Sequence, residues 1–388
     1  CLESRVVVAR SLSSRRSVSR SQPDRTIPLP IRRRADHTRA MRRVTIAKAG
    51  GYERLQFETV PTPPPGPGEI SVSTEAIGVN YADCIIRMGL YASAKEYVGW
   101  PITPGFEFAG EVAALGAGTS GFSVGDRVFG VTRFGGYASH VVVPQTQLFL
   151  IPPGISAQEA AAFPTVFLTA WYALEELARP RPGAKVLIHS AAGGVGSALV
   201  QLALRRGCEV VAVVGGAAKV GAVVGLAGEN AERLRVIDKG NEDLWPTAAL
   251  LAPGGFDAIF DANGVETLHA SYSHLAKPGR LVIYGFHSML PRGGGKPNWL
   301  RLAAGWLRTP RFNPLAMTNA NASVLAFNLS YLFEHQEVLA EGMASLLPLF
   351  ASGALTFPAL TPFPFENVAD AHAALEAGRT IGKVVLTL

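Results

Sequence analysis

An apolar run, Lys185-Val-Leu-Ile-His-Ser190, breaks into the turn Ala191-Ala-Gly-Gly-Val-Gly196 and restarts with helical spacing from Ser197 to Leu204. A strand that ends in glycines and opens directly into a helix has the local architecture of a dinucleotide cradle. Gly193 lets main chain approach a pyrophosphate and Gly196 lets the helix pack close to the strand. The unpaired amides and positive dipole of the helix start face the anion. Ala192, Gly193, Gly194, Val195 and Gly196 are therefore assigned to the cofactor. Ala191 stands where the usual fingerprint has its first glycine. Without a ligand, the same segment reads as an ordinary buried strand, turn and helix of an α/β protein.

At 388 residues the chain is long enough for roughly two domains, each with its own core. A hydrophobic content of 48%, with 41 glycines and 27 prolines, suits a turn-rich globular protein. No run approaches the roughly 20 apolar residues of a spanning helix. The formal net charge of +6 is uneven: residues 1–43 carry twelve arginines and three acids, or +9, leaving −3 for the other 345. The leader over 1–40 has seven serines and no lysine, the composition of an organellar transit peptide or of a disordered segment. A chloroplast or mitochondrial location is expected, or a cytoplasmic one if translation starts at Met41. No aromatic residues interleave the arginines, so nucleic-acid binding is not expected. The three cysteines, Cys1, Cys84 and Cys208, are too scattered for a disulfide framework or a structural zinc site, and a reducing compartment is the default.

Organisation changes near residues 160 and 350. From Val44 to Pro153, short β-like runs (Ile70 to Val79, Glu107 to Leu115, Arg127 to Val131, Ala138 to Val143) alternate with turns such as Gly116-Ala-Gly. From Ala157 the rhythm becomes helix, strand, helix. A helix over Ala157 to Leu177 precedes strand Lys185 to Ser190, helix Ser197 to Arg206, strand Glu209 to Val214 and strand Arg235 to Asp238. Strands at Ala258 to Asp261 and Arg280 to Tyr284 complete a doubly wound α/β pattern with a parallel sheet. A helix over Glu334 to Ser352 precedes the terminal return.

The end of the second strand bears on which nicotinamide cofactor fits. A carboxylate roughly twenty residues past the glycine turn would bind a ribose 2′-hydroxyl. Here the strand runs into Gly215-Gly216-Ala-Ala-Lys219 without one. A 2′-phosphate at Gly215 would meet no repulsion and could pair with Lys219, with Lys239 as a second contact. NADPH is therefore expected over NADH. The alternative is that Lys219 and Lys239 are solvated surface lysines.

Six segments in fixed order carry a family likeness: Gly78-Val-Asn-Tyr-Ala-Asp with Arg87-Met-Gly-Leu-Tyr91, Pro104-Gly-Phe-Glu-Phe-Ala-Gly110, Gly125-Asp-Arg-Val128, Gly135-Gly-Tyr-Ala138, the cradle, and Gly382-Lys-Val-Val-Leu386. The chain resembles the zinc-independent quinone oxidoreductase group of the medium-chain dehydrogenase/reductase superfamily from Met41 to Leu388. Within it, the long segment after Gly285-Phe286 is most similar to the vesicle amine transport protein branch. The resemblance implies an α/β fold with a β-rich GroES-like catalytic domain (41–163 and 353–388) and a doubly wound Rossmann NADP-binding domain (164–352). It implies a homodimer and reduction of a quinone or α,β-unsaturated carbonyl with NADPH. Zinc-bearing relatives have a ligand cysteine where this chain has Asn80 and a histidine where it has Phe106, so no metal is expected. Asn80 and Tyr91 are carried over as catalytic residues lining the cleft, Tyr91 either as donor to the developing oxyanion or as an aromatic packing under a loop. Asn80, Thr169, Asn263, Gly285, Phe286 and Lys383 are carried over to the nucleotide. Asp83 is expected to orient local structure. Ile85 departs from relatives that carry a second cleft tyrosine and leaves the proton donor open.

His189, His140, His372, Cys84 and Cys208 read as packing residues. From Thr267 through Phe333 there is no acid, while Lys277, Arg280, Arg292, Lys296, Arg301, Arg308 and Arg311 give seven positive charges. Within 286–322, Trp299, Leu300, Ala303, Trp306 and Leu307 fall on one helical face with Arg301 and Arg308 on the other. That helix could lie on an anionic membrane, wall a substrate cleft, or pack on the nucleotide domain with snorkelling arginines. Three functions follow: a quinone or enone reductase, a lipid- or membrane-associated NADP-binding protein with little turnover, or an enoyl-thioester reductase.

Overall fold

The computed structural model describes residues 40–388 except 292, 294 and 358, so the leader and its targeting reading lie outside the described residues. Strands β1 (Ala40–Thr45) and β2 (Gln56–Pro61) pair antiparallel. The long strand β3 (Glu69–Val79) then enters a seven-stranded sheet. Helices α1 (Tyr81–Arg87) and α2 (Ala92–Tyr97) follow, then β4 (Glu107–Leu115), β5 (Arg127–Val131), β6 (His140–Pro144) and β7 (Leu148–Leu150). One edge of β3 pairs with β4; the other takes β6 along residues 69–73.

The expected helix from Ala157 to Leu177 is three pieces. Helix α3 (Ala157–Ala162) stops before Pro164, whose ring cannot continue a helix but is well placed to start one. Pro164 therefore opens α4 (Pro164–Trp171), which runs on into π-helical turns over Tyr172–Ala178.

The second lobe is a six-stranded sheet in which every pairing is parallel. Its strands and helices are β8 (Lys185–Ile188), α5 (Gly194–Arg205), β9 (Glu209–Val214), α6 (Val220–Val224), β10 (Leu234–Asp238), α7 (Leu244–Leu251), β11 (Phe256–Asp261), α8 (Leu268–Ser273), β12 (Leu275–Ile283), α9 (Trp299–Arg308), α10 (Pro314–Ala320) and β13 (Ala322–Ala326). Continuous Val/Ile runs such as Glu209–Val214 suit strands covered on both faces. The order β10-β9-β8-β11-β12-β13 reverses direction between β8 and β11. In such sheets the crevice outside the carboxyl ends at the reversal is where ligands bind.

Helix α11 (Gln336–Ala351) leads back to the first lobe, where β14 (Leu360–Pro364), α12 (Val368–Glu376) and β15 (Lys383–Thr387) finish the chain. β15 pairs antiparallel with the end of β3, Val384 opposite Val79, so Lys383 arrives beside Asn80. Aromatic rings knit the lobes together. Phe163 stacks on Phe350 at 3.9 Å and on Phe167 at 4.5 Å, with Phe129 of β5 edge-on to the first two. Truncating one such ring to alanine costs about 3–5 kcal/mol.

Helix α9 forms where the periodicity predicts, but its apolar face does not pack. Trp299, Leu300, Trp306 and Leu307 are 67–85% exposed. The half-buried residues are Leu302 and Gly305, and Leu302 packs with Leu290 against α1. Arg301 is not purely solvated either: it donates to the Ser288 carbonyl at 2.8 Å.

Candidate active site

The cradle begins where β8 ends. Ser190 adopts a left-handed conformation (φ 54°), and Gly193 caps α5, which starts at Gly194, three residues earlier than the apolar periodicity suggested. A Cβ on Gly196 would lie 2.3 Å from the Ser190 carbonyl oxygen and 2.8 Å from Ala191 Cα, so this glycine permits the helix to touch the strand. A Cβ on Gly193 would meet only the Ser190 oxygen, at 3.3 Å, leaving its other side open. The first-turn amides of α5, among them Val195 and Gly196, lack intrahelical acceptors by position and favour an anion. The Ala192 carbonyl is taken by the Gly382 amide at 2.8 Å, and Gly193 and Gly382 form a parallel bridge, so the approach to β15 lies against the cradle.

At the end of β9, Gly216 has nothing within 4 Å of a Cβ position, and Gly215 has only Lys239 Cε, at 3.8 Å. Lys219 Nζ donates to the Gly378 carbonyl at 2.7 Å. Burial, and then the nearby Lys239 charge, pull its pKa below the usual lysine range. Two cations that feel each other's charge beside open main chain suit a dianionic group.

The floor of the cleft is a buried polar network. Glu107 Oε1 accepts from Asn80 Nδ2 at 2.7 Å and pairs with Lys383 Nζ at 2.6 Å, and Oε2 accepts from the Thr165 amide at 2.8 Å. Lys383 also donates to Asn80 Oδ1. Both ends of the Asn80 amide, expected to line the cleft, are thus engaged within the protein. Lys383 Cδ lies 3.6 Å from a Cβ position on Gly194, so its stem passes along the cradle. Thr169 donates its hydroxyl proton to the Thr165 carbonyl at 2.7 Å, whereas the buried Thr165 hydroxyl has no partner among the described residues. Of these two threonines the sequence singled out the one whose proton is committed.

Of the two readings of Tyr91, the geometry matches packing under a loop. Its hydroxyl donates to Asn328 Oδ1 at 2.7 Å, and Ser330 bonds to the same oxygen and to Ser93. Burial pushes the phenol up to about 12. Tyr91 fastens α2 to the loop before α11; it is not a free donor. Asp83 accepts from the amides of Asn80 and Gly105 at 2.8 and 3.0 Å and from Tyr137 at 3.1 Å, fixing the start of α1 to the Gly105 turn. Its burial raises the carboxyl to about 7.

On the nucleotide side, Asn263 Oδ1 accepts from Ser190 Oγ at 2.9 Å, joining the ends of β8 and β11. Phe286 packs over Gly264, within 2.6 Å of its Cβ position, and a Cβ on Gly285 would lie 2.8 Å from the Ala262 carbonyl oxygen. Among the described residues, Cys84, His372 and Glu376 form a buried group with metal-ligand chemistry. Glu376 is already neutralised by the buried Arg87 guanidinium and bonded by Tyr52, and His372 is pushed to about 3 by burial and Arg87. A divalent cation there would face an arginine.

A β-rich lobe closed by the C-terminal strand, beside a parallel sheet with a glycine cradle at its switch point, defines the medium-chain dehydrogenase/reductases. Residues 66–153 match the model of the alcohol dehydrogenase GroES-like domain, and 232–386 match that described as zinc-binding dehydrogenase. The human synaptic vesicle membrane protein VAT-1 homolog is 35% identical over 354 residues, covering 89% of this chain and 86% of that protein. The crystal structure of the human VAT-1 homolog-like protein superposes with a TM-score of 0.73 at 26% identity, covering 90% and 98% of the two chains. Escherichia coli quinone oxidoreductase, solved as a complex with NADPH, gives 0.74 at 27% identity over 89% and 100%. The chain belongs to the zinc-independent medium-chain dehydrogenase/reductases, in the VAT-1 branch, and is an oxidoreductase of that superfamily.

Proposed function

We propose that this protein is an NADPH-dependent, zinc-independent reductase of quinones or α,β-unsaturated carbonyls. The observation that carries this reading is the placement of Lys219 and Lys239 beside open main chain at Gly215 and Gly216. The cofactor is NADPH. Its diphosphate fits the first turn of α5, its 2′-phosphate fits the two lysines, and its nicotinamide end fits over the floor of Asn80, Lys383 and Thr165. When bound it supplies hydride.

The chain's own groups set what is reduced. Glu107 and Lys383 cancel each other's charge, so the floor is neutral where it meets the substrate. Beside it Tyr81, Ile85, Leu90 and Leu302 gather around Leu290, an apolar wall supplied partly by the segment after Gly285. A neutral floor with an apolar wall favours an uncharged, flat acceptor. Calorimetry with NADPH and NADH, followed by nucleotide oxidation with a naphthoquinone, a short enal and an enoyl thioester, tests the reading. NADPH-preferring binding with turnover of the first two is expected. Binding without turnover of any would remove the reductase activity; turnover of the thioester alone, faster with longer acyl chains, would favour an enoyl-thioester reductase.

The exposed Trp299, Leu300, Trp306 and Leu307 of α9, in a stretch rich in arginine and lacking acids, favour a second reading: peripheral contact with an anionic membrane. Flotation with vesicles containing an anionic lipid should fail for a Trp299→Ser/Trp306→Ser variant. Equal flotation would remove it. For the homodimer we propose pairing at the β13 edge of the six-stranded sheet, checked by light scattering of the intact chain.

A further inference from the structure

His189 directly follows β8 and is wholly buried. Its amide donates to the Phe260 carbonyl at 3.1 Å, and its ring stands edge-on to Trp245, with centroids 5.7 Å apart. Nε2 lies 3.1 Å from Ser271 Oγ and 3.8 Å from Asp261 Oδ2. Ser271 gives its own proton to Asp261 Oδ2 at 3.0 Å, so it must accept from the ring, and the imidazole carries its proton on Nε2. Thr267 donates to the same carboxylate oxygen at 2.7 Å. The other oxygen, Oδ1, accepts the amides of Asn263 at 2.8 Å and Gly264 at 3.0 Å.

This is a directed chain: ring N–H to hydroxyl, hydroxyl to carboxylate, carboxylate to the two amides of the loop at the sheet's switch point. Among the described residues it leaves Nδ1 of His189 buried without a partner, an arrangement that disfavours the folded state and that an apolar side chain would avoid. A group retained for packing alone would not need that lone pair or that tautomer.

We propose that His189 is a positioning residue for the nucleotide: through Ser271 and Asp261 it sets the orientation of the Asn263-Gly264 loop against the cradle. The proposal rests on the nucleotide-binding reading above and adds to it the polar chain beneath the loop. Ser190, next in sequence, bonds Asn263 from the other side, so the loop is gripped by consecutive residues of one strand end.

The test compares His189→Leu with His189→Gln, whose amide N–H can replace Nε2–H, by calorimetric titration of NADPH, thermal melting of the nucleotide-free protein, and hydrogen exchange at the Gly264 amide. For the leucine variant a roughly tenfold loss of NADPH affinity and faster Gly264 exchange are expected, with a melting temperature equal to or above wild type, because the orphaned nitrogen is gone. Glutamine should restore affinity to within about threefold. Unchanged NADPH affinity in the leucine variant overturns the proposal. So does a parallel loss of affinity and melting temperature that glutamine fails to rescue, which would leave His189 as packing. Wild-type protein that binds no NADPH would overturn the nucleotide reading itself, a distinct outcome.

Discussion

Lys219 donates to the main-chain carbonyl of Gly378 across 2.7 Å, tying the end of the nucleotide lobe's second strand to the turn after α12. The same short segment is held again at Gly382, on the Ala192 carbonyl, and its next residue is Lys383 of the floor. The expected phosphate end of the cleft and its polar floor are therefore two ends of one stretch of chain.

Removing the ammonium separates its two jobs. Lys219→Ala should weaken NADPH binding by roughly ten- to a hundredfold, the worth of one charge-assisted contact. NADH affinity should stay within about twofold. Calorimetry with both nucleotides checks this; equal losses would mean that Lys219 acts only as a tie to Gly378.

The periodicity switch, the glycine turn and the succession of strands and helices along the nucleotide lobe were legible because hydrophobic spacing and Gly/Pro punctuation are local properties. Pro164 was visible yet passed over, and it divides the helix expected from Ala157 to Leu177. What could not be read were partners distant in sequence. Asn328 accepts the Tyr91 hydrogen bond from 237 residues away, and Lys383 reaches Asn80 across 303. Both change a residue's chemistry without leaving a mark in its own segment. The outward face of α9 is a third case: amphipathic spacing shows that a face exists, and only the packing of Leu302 and Gly305 shows which side turns inward.

The two cradle glycines should fail differently. Gly196→Ala places a methyl 2.3 Å from a backbone oxygen that cannot give way, so a fold loss of roughly 2–4 kcal/mol is expected together with loss of nucleotide binding. Gly193→Val meets only one contact, at 3.3 Å, and projects into the open side. It should fold near wild type and bind neither NADPH nor NADH. Thermal melting with calorimetry distinguishes them, and nucleotide affinity retained in Gly193→Val would remove the cradle assignment.

Tyr91→Phe deletes one hydrogen bond to Asn328 and leaves the packing of the ring on Phe106 in place. About 1 kcal/mol of stability should be lost, with turnover on the best acceptor within about twofold. A fall in kcat of tenfold or more at unchanged stability would return the hydroxyl to the chemistry.

Asp83 gives the fold a pH dependence of unusual sign. Burial raises its carboxyl to about 7, against roughly 3.9 in an unfolded chain, so between those values the folded protein holds a proton that the unfolded chain has released. Its contribution to stability therefore falls as pH rises from about 4 through 7 and is level beyond. His189 and His372, held by burial at about 4 and about 3, act in the opposite direction. They stay neutral in the fold while the unfolded chain takes up protons below roughly 6.5, so they weaken the fold as pH falls. The wild-type profile mixes these effects, and Asp83→Asn, which cannot ionise, separates them. The stability of wild type relative to the variant should decline by up to about 4 kcal/mol between pH 4 and 7, read from urea unfolding at each pH. Parallel profiles for the two proteins would show that Asp83 is ionised throughout, its desolvation offset by the Asn80 and Gly105 amides that point at it.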